Sequence, residues 1–157
     1  MSPRLRAMDE SDYERWLSDH VPTYTSDLVQ HGGWDPEVAA RKAERDLTLF
    51  LPEGLRTPKQ HLFVVEDDAA GNVGTLWMGE LDRGDGPVAF VYDILIDPEH
   101  RGRGLGRGAM ELAEGEARRL GYAKIELNVF GGNDVARHLY RSLGYTEQAV
   151  SMGKRLT

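Results

Sequence analysis

The segment Ile94-Leu95-Ile96-Asp97-Pro98-Glu99-His100-Arg101-Gly102-Arg103-Gly104-Leu105-Gly106-Arg107-Gly108 ends in an octet made of three arginines, four glycines and one leucine. An apolar stretch with strand character runs into a proline turn, then into a loop that opens a helix. Such a loop can turn several backbone N–H groups toward one anion, with the positive end of a helix dipole behind them. Arg101, Arg103 and Arg107 add guanidinium donors that suit phosphate oxygens. The chemistry indicated is recognition of a phosphate-bearing ligand.

Glycine spacing alone admits other phosphate readers. Gly104-Leu105-Gly106-Arg107-Gly108-Ala109 satisfies a short form of the dinucleotide fingerprint. In that fold the first glycine follows its strand almost directly, inside a parallel βαβ unit. Here Asp97-Pro98-Glu99-His100-Arg101 intervenes, and the upstream strands read as an antiparallel hairpin. No Gly-Lys-Ser/Thr follows, which excludes the P-loop.

A second segment, Asn133-Asp134-Val135-Ala136-Arg137-His138-Leu139-Tyr140-Arg141-Ser142-Leu143-Gly144-Tyr145, follows after one helix and one strand. Arg101-x-x-Gly104-x-Gly106 and this Asn-x-x-Ala-x-x-Leu-Tyr-x-x-x-Gly-Tyr run together resemble the GNAT superfamily of N-acetyltransferases. The specific likeness covers about Tyr92 to Tyr145; upstream only the order of elements agrees. It implies an acetyl-CoA-dependent acyltransferase acting on a primary amine, and it allows a homodimer. It further implies that the backbone of Ile94, Leu95 and Ile96 pairs with the pantetheine arm. The pyrophosphate would sit on the loop formed by Arg101, Gly102, Arg103, Gly104, Leu105, Gly106, Arg107 and Gly108. Asn133 would hydrogen-bond the cofactor, and Tyr140 would protonate the departing thiolate. A phenol positioned by a rigid helix suits that task.

An acceptor amine is protonated at neutral pH and must lose a proton before it attacks. The resemblance assigns no base, so position decides among carboxylates. Asp93 lies on the strand expected to line the thioester, Glu80 on the neighbouring hairpin strand, and Glu126 on the strand across the expected splay. The five histidines show no metal-ligand spacing, and no metal is expected. With no cysteine there is no thiol relay through the enzyme, so the acyl group passes directly to the acceptor in a ternary complex.

The elements that must hold these residues follow from pattern. Arg4–Met8 alternates as a short strand. Ser11-Asp12-Tyr13-Glu14 fits a capping box, opening a helix from about Asp12. Tyr24–Gly33 is ambiguous; Asp35-Pro36 opens a second helix running to Phe50. His61–Glu66 and Val73–Leu81 form a hairpin, and Val88–Ile96 is a third, very apolar strand. Leu105, Ala109, Leu112, Ala113, Ala117 and Leu120 make one stripe of a helix. Lys124–Val129 is a strand, a helix runs to Leu143, and Gln148–Arg155 reads as a terminal strand. The fold expected is a single α/β domain over 1–157, GNAT-like, with a mixed, mostly antiparallel central sheet flanked by helices.

A chain of 157 residues can bury a full core in one domain. A net charge of −7 argues against a nucleic-acid binder, which carries a basic face. It suits a cationic acceptor, whether a small-molecule amine or an amine of a peptide or protein. No apolar run reaches membrane-spanning length and the first residues hold no signal-peptide core, so the expectation is a cytoplasmic protein without a membrane partner. Two alternatives stand beside the enzyme: a non-catalytic acyl-CoA-binding sensor, and a nicotinamide-binding protein.

Overall fold

A computed structural model describes residues 2–157. Five strands form one sheet in chain order: β1 (Pro3–Ala7), β2 (Gln60–Asp67), β3 (Gly71–Asp82), β4 (Pro87–Ile96) and β5 (Ile125–Leu127). The first four are antiparallel neighbours, and β5 runs parallel to β4. Four α-helices flank the sheet: α1 (Glu10–Gln30), α2 (Pro36–Phe50), α3 (Leu105–Arg119) and α4 (Asp134–Ser142). The mixed, mostly antiparallel sheet with flanking helices is the architecture expected.

Alternation along the strands sorts the core into two layers. On one face Val65, Val73, Leu76, Met78, Ala89 and Val91 meet Leu105, Ala109, Met110, Ala113 and Ala117 of α3. On the other, Leu62, Val64 and Trp77 meet Trp16 of α1 and, beyond α2, Leu51. Gly108 lets α3 approach β1, since a Cβ there would stand 2.8 Å from Pro3 Cγ.

Four details differ from the sequence reading. The capping box of α1 is built by Asp9 and Asp12, whose carboxylates and backbone amides bond reciprocally at 2.8 and 3.0 Å, rather than by Ser11 and Glu14. The acid two residues earlier wins because its partner Asp12 is also gripped by Arg6 and Arg15. The ambiguous stretch after Tyr24 continues α1 to Gln30, its apolar side held by buried Leu28. β5 is only three residues long. No strand forms over Gln148–Arg155, where the chain is exposed throughout.

Candidate active site

β4 carries a bulge where the chemistry is expected. Met78 pairs with Val91 and Trp77 with Asp93, leaving Tyr92 as the extra residue. Val91 and Ile94 pack on the α3 side, whereas Tyr92 and Asp93 both turn toward α1: Tyr92 stacks on Trp77 at 4.7 Å, and Asp93 reaches His20. Two consecutive side chains on one face is what a bulge produces. In the same place the sheet splits. β5 pairs with Ala89, Phe90 and Val91 only, so β4 from Tyr92 to Ile96 has no strand on that side. Its free backbone edge can accept an extended ligand as an added strand.

At the end of this edge Asp97 N–H returns to Val73 O at 2.8 Å, and a short 3₁₀ turn, Pro98–His100, leads into the glycine loop. Gly104 is the N-cap of α3, with φ +77°, and no side chain caps the helix. The amides of the first turn are therefore free of intrahelical partners. A Cβ on Gly102 or Gly104 would meet nothing within 4 Å, so both positions open onto free space. Gly108 differs, because its amide already donates to Gly104 O at 3.0 Å. Arg101 Nε is bonded to Ile96 O at 2.9 Å and Arg107 to Ser142, while Arg103 is exposed.

Tyr140 lies on α4, half-buried against the α3 layer, edge-on to Tyr145 at 5.9 Å. Burial, and then the charge of Asp93, push its hydroxyl above the ordinary phenol value. Asn133 caps α4 by accepting from Ala136 N–H at 3.2 Å, which leaves its amide NH₂ as a donor.

The structure separates the candidate carboxylates. Asp93, 24% exposed, borders a cavity of about 170 Å³ with Trp16, Asp19, His20, Thr23 and Asp97. Glu80 lines neither this cavity nor the groove beside Tyr140. It is held by Lys59 Nζ at 2.9 Å and the Tyr122 hydroxyl at 3.0 Å, which together keep it below the usual carboxylate range. Glu126 pairs with Arg83 and Lys124 and is lowered likewise. Sequence reasoning overlooked His20. This side chain, 7% exposed, is stacked on Trp16 at 4.4 Å with Nδ1 3.5 Å from Asp93 Oδ2. Its only sequence signal is helical phase, being four residues beyond Trp16 on the buried stripe of α1. Asp97, Glu99 and His100 bring ligand-type atoms within 4.8 Å of one another, an arrangement common among acidic turn residues.

A splayed β4/β5 pair ending at an uncapped helix start defines an acyltransferase-type fold, and comparison places the chain within it. The acetyltransferase (GNAT) family model matches residues 13–145, and the chain belongs to that family. YycN of Bacillus subtilis, described as an uncharacterized N-acetyltransferase, is 32% identical over 156 residues, covering 99% of this chain and 100% of YycN. The crystal structure of YycN superposes with a TM-score of 0.91 at 31% identity, covering 99% of both chains. A mycothiol acetyltransferase of Thermobispora bispora is 31% identical over 95% of this chain, which spans 48% of that protein. The aminoglycoside N-acetyltransferase AAC(6')-Iy, solved in complex with CoA, shares the fold at 16% identity and a TM-score of 0.62, covering 98% of this chain and 93% of its own. The chain is thus an acetyltransferase rather than a nicotinamide-binding protein or a bare acyl-CoA sensor. Among the described residues no helix is long and apolar enough to cross a membrane.

Proposed function

We propose that the protein transfers an acetyl group from acetyl-CoA to a primary amine by direct attack in a ternary complex. The observation that carries this reading is the free edge of β4 ending at the uncapped first turn of α3. The donor supplies an activated thioester carbonyl. The backbone of Ile94, Leu95 and Ile96 aligns its arm along the open edge. The amides of Gly104 to Arg107 receive the pyrophosphate, with Arg101, Gly102 and Arg103 at its rim and Gly108 packing α3 against β1. Asn133 adds a side-chain donor from the start of α4.

On the acceptor side, Asp93 is the residue that takes the proton from the ammonium. Its carboxylate opens into the cavity under α1, and the bulge at Tyr92 is what aims it there. His20 stands behind Asp93 as a second station for that proton. Tyr140 gives its proton to the departing thiolate and recovers one from the nitrogen as the tetrahedral intermediate collapses to the amide, and burial holds its hydroxyl above the ordinary phenol value. Asp19, Asp93 and Asp97 together favour a cationic acceptor, a small amine or a peptide amine.

Calorimetric titration with acetyl-CoA, with NAD and ATP as controls, tests the donor half. Selective acetyl-CoA binding that Gly104→Asp abolishes is the result expected; no binding by the folded wild type overturns the reading. For the base, Asp93→Asn should lower kcat at least 10²-fold while leaving acetyl-CoA affinity intact. Glu80→Gln should leave kcat unchanged. Full activity of Asp93→Asn across pH would remove Asp93 from the mechanism.

A further inference from the structure

The two sides of the sheet meet beside the split. Trp16 of α1 and Leu51 beyond α2 pack on one face; α3 covers the other, with Tyr140 of α4 packed on its side. β4 and β5 stop pairing at Val91 and Leu127. Three residues beyond Leu127, the loop between β5 and α4 touches the turn between α1 and α2. An added Cβ on Gly32 would stand 3.1 Å from Phe130 Cε1, and one on Gly132 would stand 3.6 Å from His31 O.

Gly32 is shaped for this contact by space rather than by backbone angle, since its φ is not positive. Gly32 and Trp34 both donate to Leu28 O, at 3.1 and 3.0 Å, which folds the turn over the end of α1. A Cβ on Gly32 would lie 2.7 Å from that oxygen and 2.9 Å from Trp34 Cδ1. Trp34 is braced in turn by the Lys42 ammonium of α2, 5.6 Å from its ring centre.

Across the contact, Phe130 anchors its loop. Of residues 128–132 it alone is not exposed. Its carbonyl accepts from Asn133 N–H at 3.0 Å, and the neighbouring Gly131 O accepts from the Arg137 guanidinium at 2.9 Å. Asn133 caps α4, and Tyr140 follows it by seven residues, about two turns, on the same side of the helix. α4 has no buried residue of its own, so the loop fixes its first turn.

These contacts close a ring. β4 meets α1 through Asp93 and His20, α1 ends in the turn at Gly32, Phe130 sits on that turn, and β5 returns to β4 at Val91. The proposed base stands on one arm of the ring, and the helix of the proposed acid follows the other. We infer that Phe130, seated on Gly32, is a positioning residue that holds Tyr140 at its working distance from Asp93. The catalytic clause rests on the acetyltransferase reading with Tyr140 as acid; the contact does not.

Phe130 belongs to neither core layer, so Phe130→Ala should fold. In hydrogen exchange without substrate, it should speed the amides of Gly32 and Trp34 on one side and of Ala136 and Arg137 on the other. Its kcat should fall at least about tenfold, and Phe130→Leu, which keeps an apolar contact, should recover most of the loss. Added to Tyr140→Phe, Phe130→Ala should slow the enzyme no further, because both act on one proton transfer. Faster exchange on one side only, an unchanged kcat, or losses that multiply in the double variant overturn the proposal. Gly32→Ala displaces the ring from the opposite side and should reproduce both effects, which keeps the test open if Phe130→Ala does not fold. A wild-type rate for Tyr140→Phe would remove the acid assignment instead, and the exchange data alone would then decide the contact.

Discussion

In the proposed reaction Tyr140 and Asp93 are asked for opposite services, and their surroundings differ. Tyr140 is packed among apolar groups and repelled by the Asp93 charge, so its proton is held above the usual phenol range. A general acid works while protonated, so a raised pKa moves the alkaline loss of activity above the value of about 10 typical of tyrosine. Tyr140→Phe should remove that limb and lower kcat by about 10² or more, with little change in KM for acetyl-CoA, in a steady-state pH series. His20→Gln should depress the acid-side rate while leaving acetyl-CoA affinity unchanged; an unaltered pH profile would show that His20 only packs. The sequence marks Asp93 and Glu80 alike, as carboxylates in apolar strands, and only Asp93 borders the cavity under α1. His20 was not readable from sequence, since helical phase marks it as buried without saying what it faces. The contact with Asp93 exists only after α1 has docked on the sheet.

Among the elements, stability rests on a few polar clamps and close approaches. Asp67, buried at the β2–β3 turn, accepts from the amides of Ser2, Ala69 and Ala70 at 3.0 to 3.1 Å. Asp67→Ala leaves those donors without their partner and should cost about 1–3 kcal/mol in chemical denaturation. At the start of α1, Arg6 and the Asp9 amide hold Asp12 down to about 2. A carboxylate whose folded pKa is lowered stabilises the fold above its unfolded pKa, and loses that contribution as pH falls through the folded one. Acid titration of the wild type should therefore show stability falling between about pH 4 and 2. Asp12→Asn, already weaker at neutral pH, should show less of that fall. Gly74 sits where a Cβ would meet Leu95 O at 2.2 Å, so Gly74→Ala should separate β3 from β4 and lower stability by at least about 1–3 kcal/mol. Local pattern revealed most elements, because capping, proline position and alternation act within a few residues. It failed for the terminal strand, whose residues alternate but pair with no strand among the described residues.

Across the whole molecule, the helices of the α3 side are unequally buried. The α3 layer contains fully buried Val65, Val73, Leu76 and Met110, whereas α4 has no buried residue of its own. Hydrogen exchange should find α4 opening first and α3 with β3 last, and acetyl-CoA should slow the amides at the start of α3. Protection in the opposite order would place the stable nucleus elsewhere. The extra residue in β4 has a consequence at this scale. It lets one strand serve two masters, running in one phase as structural timber and, past Tyr92, in the opposite phase as a bench for chemistry. Removing Tyr92 would bring the halves into step. Asp93 would keep its face between Val91 and Ile94, so a single-codon deletion should remove the ring stacked on Trp77 and lower stability while leaving the carboxylate directed into its cavity.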